Sequence, residues 1–348
     1  MALEPAALGH TAPGRQVARA PVVVRASRGG YPESRHTVHA VLCDATGAIR
    51  TAWGDADIGV FARSAVKPLQ AHAVLAAGAF DAFGFGAEEI ALACASHGGE
   101  PEHVAVAGRA LDLCGASPDD LACGAHEPMH APSARALAAD GLRPDRIHNN
   151  CSGKHAAMIA LARHLGAPVR GYEAPDHPVQ GTMSAEIERW TGIPAERLEK
   201  ATDGCGVVTF RLPLATLAAA FGRFGAAEDG SKRIRDAVSA HPHLLAGTGR
   251  LCTAIARHTG GRVLAKVGAE GVYCACAPEA GLGLALKVAD GSRRAADAAL
   301  VSLLRACGVI DAAGYDGLAA IASPPVRDTR GEVVGALEVD LPGTGSGA

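Results

Sequence analysis

Hydrophobic and polar positions divide the chain into three textures. Near the amino end, Val22-Val23-Val24 starts a strand, Thr37 to Cys43 partly alternates as a second, and Ile49 to Trp53 reads as a third. Asp44-Ala45-Thr46-Gly47-Ala48 supplies the turn between the last two. These strands predict an antiparallel meander. The next stretch of roughly 190 residues reads mainly as helices joined by Gly/Pro-rich loops. The periodicity places them at 68–79, 88–94, 101–113, 134–139, 153–165, 179–191, 214–224, 231–240 and 249–258. Strands then return at 262–267 and 271–277, and Leu282, Leu284, Leu286 and Val288 alternate strictly. An amphipathic helix at 294–304 and a strand at 333–341 close the pattern.

This order predicts an α+β protein: an antiparallel sheet flanked by helices, plus a mainly helical lobe. The two ends of the chain return to share one sheet. The expected division is a flexible arm at 1–20, a sheet lobe from 21–62 and 256–341, a helical lobe at 63–255, and a flexible tail at 342–348.

Composition narrows the function classes. The 348 residues suffice for a large core and two lobes. A formal net charge of -3 gives no basic footprint, and aromatics at 4% disfavour base stacking, so no nucleic-acid partner is expected. No apolar h-region occupies 1–20 and no apolar run is long enough to span a bilayer, so the chain reads as cytoplasmic, without a membrane partner. In that compartment the ten cysteines should be mostly reduced, most of them as small buried hydrophobes.

The candidate chemistry centres on Ala62-Arg63-Ser64-Ala65-Val66-Lys67-Pro68-Leu69. Side chains three apart on a helix lie one above the other, so Ser64 and Lys67 set an amine beside a hydroxyl. A neutral amine there can take the hydroxyl proton. Pro68 is tolerated only near a first turn, which starts the helix close to Ser64, where developing negative charge is favoured. Taken alone, the spacing favours an N-cap serine and a solvated lysine. Three small-residue elbows accompany it: Ala95-Ser96-His97-Gly98-Gly99, Asn149-Asn150-Cys151-Ser152-Gly153-Lys154-His155 and Thr202-Asp203-Gly204-Cys205-Gly206. Small residues let a backbone approach a ligand closely, although each elbow alone is also ordinary turn chemistry.

Together these pieces resemble a known architecture, that of serine β-lactamases, penicillin-binding proteins and glutaminases, with Lys266-Val267-Gly268 standing where a Lys-x-Gly strand faces the nucleophile. More specifically, the chain resembles the L-asparaginase II family of the Rhizobium etli inducible type. The matching segments are Arg63 to Pro68, Ala95-Ser96-His97, Asn150 to His155, Asp203 to Gly206 and Lys266-Val267-Gly268, in order over roughly 20–340.

The resemblance implies a homodimeric amidohydrolase that converts L-asparagine to L-aspartate and ammonia. It implies two Ser–Lys tandems, Ser64–Lys67 and Ser96–Lys266, and a Zn2+ site on Cys151, Lys154 and Cys205, with the family's third cysteine on Cys252. On this reading Ser64 is the nucleophile, Lys67 its base, and Ser96 a relay hydroxyl paired with Lys266; the serines could also exchange roles. From the residues alone, Cys151 and His155 at i,i+4 make the more ordinary ligand pair; the resemblance instead names Lys154, and His155 is kept as an outer partner. Zinc here tunes or orders the site rather than attacking the amide. Arg63 suits an α-carboxylate and Asp203 an α-ammonium, while His97 would orient Ser96 or donate to an oxyanion. The competing readings are a glutaminase or related serine amidohydrolase, and a catalytically silent zinc- or thiol-binding protein.

Overall fold

A computed structural model describes residues 18–343. The expected arm at 1–20 and tail at 342–348 therefore lie almost wholly outside the described residues. The fold is α+β, and the chain divides into two compact units.

The first unit runs to Val60, takes in Pro213–Ala226 and resumes at Val267. Its sheet has the order Ala18–Arg19, Ile49–Trp53, Tyr31–Asp44, Leu282–Val288, Val272–Ala277 and Leu264–Gly268. The meander expected at the amino end is present: Val22–Arg28 pairs antiparallel with Tyr31–Asp44, which pairs with Ile49–Trp53. The two ends of the chain meet where Leu282 faces Asp44 and Val288 faces Val38. All six residues of Val272–Ala277 are buried, so neither face of that strand shows a polar alternation.

In this unit three features depart from the sequence expectation. The helix Leu214–Ala226 belongs to this sheet unit rather than to the helical stretch at 63–255. Two glycines allow it: a Cβ on Gly222 would meet Asp44 O at 2.3 Å, and one on Gly283 would meet Gly222 N at 2.1 Å. The strand expected at 333–341 is broken at Ala336. Val333–Gly335 pairs with Val326–Arg327, whereas Leu337–Asp340 pairs with Val22–Arg28. A helix at Ala312–Ala322 was not expected, because its composition is nearly all small and apolar and gives no amphipathic period.

The second unit comprises Phe61–Leu212 and Ala227–Lys266. Its helices follow the predicted periods closely, among them Ala87–Ala93, Pro101–Leu113, Ser152–His164, Pro178–Thr191 and Leu251–His258. Within this region, read as mainly helical, Glu199–Thr202 and Val208–Pro213 form an antiparallel hairpin where no strand was expected. Ser152–His164 is the central helix, buried from Ser152 through Ala162. Gly153 makes that possible, since a Cβ there would lie 2.5 Å from the carbonyl oxygen of Leu92. This glycine serves helix packing, not the ligand approach that its motif suggested. Among the described residues no helix is long and apolar enough to cross a membrane.

Candidate active site

Every candidate side chain falls in the second unit. Arg63–Val66 is a 3-10 turn that runs into the helix Lys67–Ala76, with Pro68 in its first turn. Arg63 itself has φ 48, a left-handed conformation that costs a non-glycine residue about 1–2 kcal/mol. Two contacts hold it there: Ala62 N–H donates to Phe210 O at 2.9 Å, and the Arg63 guanidinium pairs with the Asp203 carboxylate. Ser64 follows, half-buried, at a helix start that no side chain caps.

Lys67 does not turn back to Ser64. Its buried ammonium donates to Ala95 O, to Ser96 Oγ at 3.1 Å and to Cys151 Sγ at 3.1 Å. Ser64 makes no side-chain hydrogen bond among the described residues. Ser96 is instead the hydroxyl with amines on it, because Lys266 Nζ donates to the same Oγ at 2.8 Å. Lys266 is fully buried, and that burial, reinforced by the neighbouring charge of Lys67, pushes its amine down to about 7. The backbone under Ser96 is pinned: Ser96 N–H donates to Leu245 O at 3.1 Å and His97 N–H to Asn150 O at 3.2 Å.

The thiol group lies against this set. Cys151 precedes the central helix, Lys154 follows within its first turn, and Cys205 sits in the turn of the hairpin. Lys154 Nζ donates to Cys205 Sγ at 2.9 Å. A hydrogen bond from Cys205 holds the Cys151 thiol well below its ordinary value against the effect of burial, with help from Lys67 and Lys154. The same bond, together with burial, drives Cys205 up. Burial works to lower Lys154, but the sulfurs of Cys205 and Cys151 outweigh it and raise its pKa.

Cys151, Lys154 and Cys205 fit a zinc ion on two observations. Two sulfurs and an amine already converge within contact distance, a soft donor set that zinc accepts once Lys154 gives up its proton. Second, His155 Nε2, one helical turn beyond Cys151, is a buried polar atom without a partner. Its Nδ1 is taken by the Tyr172 hydroxyl, which also accepts Ala122 N–H at 2.9 Å. Among the described residues Nε2 therefore has no partner on either tautomer.

The other expected residues are placed as follows. Asp203 lies in the hairpin turn, where its N–H donates to Val207 O at 2.8 Å. Burial alone would raise its carboxyl, but Lys154 and Arg63 hold it below the usual carboxylate range. His97 has no free nitrogen. Its Nδ1 accepts Gly99 N–H at 3.1 Å, which leaves Nε2–H for Ser152 Oγ at 2.9 Å. Burial and the adjacent His103 keep it neutral. Cys252 is buried on the helix Leu251–His258, close enough to Lys266 to influence its charge.

Sequence reasoning missed Tyr172, whose signal is a lone aromatic in a loop, and Glu100, which accepts from Thr248 N–H at 2.8 Å and Thr248 Oγ–H at 2.7 Å. It also missed the contact between Lys67 and Cys151, which residues 84 positions apart do not announce.

Among known protein families, the one described as L-asparaginase II has a model that matches residues 24–339. No relative was found among curated proteins.

Proposed function

Because the chain belongs to the L-asparaginase II family, we propose that it hydrolyses L-asparagine to L-aspartate and ammonia through a serine acyl-enzyme. The observation that carries this reading is Ser96 Oγ between two buried lysines, one of them pushed down to about 7. An amine at that value is half neutral near pH 7 and can accept a proton while remaining strong enough to return it.

Ser64 is the accessible hydroxyl and the proposed nucleophile. Its oxygen attacks the amide carbon; Lys67 passes a proton through Ser96 to neutral Lys266 and, swinging from Ala95 O toward Ser64, takes the Ser64 proton in its place. The uncapped turn at Arg63–Val66 leaves amide donors for the oxyanion. Collapse of the tetrahedral adduct breaks the C–N bond, and the nitrogen departs as ammonia with a proton from the same lysine relay. Water then attacks the ester, giving its proton to the relay and freeing Ser64 and aspartate. A zinc ion on Cys151, Lys154 and Cys205 would supply fixed positive charge and order to this end of the site. The Arg63–Asp203 pair complements a free amino acid, whose carboxylate and ammonium sit on one carbon. Substrate exchanges one internal ion pair for two new ones.

A second reading makes Ser96 the nucleophile, favoured by its two amine contacts and opposed by its burial at 5% exposure. A homodimer is proposed from the family likeness; light scattering tests it.

The test is ammonia release from L-asparagine and L-glutamine with the parent protein and Ser64→Ala, followed by trapping the acyl-enzyme and mapping the modified serine. Release from asparagine, lost in the variant, supports the proposal. An acyl group on Ser96 moves it to the second reading. Equal release from both amides makes the protein a broader amidase, and release from neither, with folded protein and zinc supplied, leaves the zinc- or thiol-binding reading in front.

A further inference from the structure

The sulfurs at the site are not used as nucleophiles in the hydrolysis above, yet they are placed for chemistry of their own. Cys151 and Cys205 are hydrogen-bonded sulfur to sulfur. Each also takes a lysine: Lys67 Nζ donates to Cys151 Sγ at 3.1 Å, and Lys154 Nζ donates to Cys205 Sγ at 2.9 Å. Lysines on sulfur favour loss of the thiol proton, and the thiolate is the form that attacks an oxidant. An attacking sulfur and a resolving sulfur are therefore neighbours, whichever of the two starts.

The other cysteines are placed differently. Cys43, Cys94 and Cys123 are fully buried, whereas Cys151 and Cys205 keep 5% and 7% exposure, an opening for a small oxidant. Cys307 is more exposed than either. Burial nevertheless pushes its thiol up to about 12, as it does those of Cys43, Cys94 and Cys123. Exposure alone would thus favour Cys307, and the lysine contacts favour the pair. An S–S bond of about 2.05 Å is shorter than any hydrogen bond between sulfurs, so one sulfur has to move. Cys205 can, because it sits in the hairpin turn between Gly204 and Gly206, the latter at φ 93.

We propose that Cys151 and Cys205 form a redox site, closed into a disulfide by a peroxide and reopened by a dithiol reductant. The thiolate of one attacks a peroxide oxygen and the O–O bond breaks. The departing hydroxide takes a proton from the adjacent lysine ammonium and leaves as water, and the sulfur becomes a sulfenic acid. The second sulfur then attacks the first, the S–S bond forms, and the expelled hydroxide leaves as a second water with the second thiol's proton. The pair loses two electrons and the peroxide gains them. Where the pair holds zinc, as proposed above, the disulfide leaves Lys154 as the one donor of that set, and the ion is released.

Full-length protein, reduced and freed of metal, is treated with one equivalent of hydrogen peroxide, alkylated without reduction and mapped by mass spectrometry. Two of the ten thiols should be lost, in linked Cys151 and Cys205 peptides, with Cys307 still alkylated, and dithiothreitol should restore both. Cys205→Ser should give no disulfide and a Cys151 sulfenic acid captured by dimedone. Lys154→Met should slow closure about tenfold, the effect of one pKa unit on the thiolate fraction, with circular dichroism unchanged. Zinc-loaded protein should release its ion to a chromogenic chelator in step with the disulfide. Failure to take up zinc at all strikes the metal reading alone, because the mapping is done without metal. Absence of linked Cys151 and Cys205 peptides from the parent protein, a disulfide between other cysteines in their place, or oxidation of Cys307 ahead of the pair overturns the proposal.

Discussion

Lys67 Nζ stands 3.1 Å from Cys151 Sγ and 3.1 Å from Ser96 Oγ, so a single ammonium links the Ser–Lys group to the thiol group. A change of charge at the sulfurs therefore reaches the hydroxyl through one side chain.

If Lys266 in its neutral form is the base, the rate rises with pH through about 7 and then levels off. Lys266→Met should lower kcat by roughly 10²–10⁴ and flatten the rise. A parent profile that is flat between pH 6 and pH 8 under chemistry-limited conditions contradicts the assignment.

The same lysine should be visible in stability. Its folded pKa lies below its unfolded value, so between about 7 and 10.5 the unfolded chain binds the extra proton and stability rises with pH. Lys266→Met should therefore be more stable than the parent, most of all below about pH 7, and the advantage should vanish toward pH 10.5. Denaturant midpoints across this range check the sign.

Removing Lys67 should raise the pKa of Lys266, since the Lys67 charge is one of the forces holding it down. Residual hydrolysis by Lys67→Met is expected to shift to higher pH. The substitution also leaves Ala95 O without its donor, a buried loss of about 1–3 kcal/mol. An unshifted profile in a folded variant would show that the two lysines do not interact.

Asp203→Asn tests the amino-acid clamp. It should raise KM by about tenfold to a hundredfold, the worth of a charge-assisted hydrogen bond at ~1.5–3 kcal/mol, with kcat much less affected. Steady-state kinetics on L-asparagine decide it, and an unchanged KM removes Asp203 from substrate binding.

Gly153→Ala tests the packing that carries Lys154 and His155 into the site. A methyl group 2.5 Å from Leu92 O forces the central helix away, at a cost of about 1–3 kcal/mol. A chemical melt with an unchanged midpoint would mean that the helix shifts freely.

Much of the fold was legible because its strands and helices carry clear periods. Leu282–Val288 and Pro101–Leu113 match their sequence expectation at both ends. What was not legible rests on contacts rather than periods. Glu199–Thr202 is exposed at every residue, so it offers no hydrophobic alternation, and only its pairing with Val208–Pro213 makes it a strand. Within the site, motif order brought Ser96, Lys266, Cys151 and Cys205 to attention. It could not show that Lys67 points away from Ser64, because i,i+3 spacing fixes where a side chain starts and not where its four-carbon stem ends. Arg63 likewise gives no sign in sequence of its left-handed backbone.

The hairpin turn has a thermodynamic consequence. Asp203 and Cys205 are two residues apart in one tight loop, closed by Gly206 N–H on Asp203 O at 2.9 Å. If one face of that loop holds the amino acid and the other the metal, neither ligand can be bound independently of the other. Whatever factor zinc contributes to the affinity for asparagine, asparagine must return to the affinity for zinc. Substrate supply would then set how firmly the metal is retained, and metal scarcity would be felt first as weaker substrate capture.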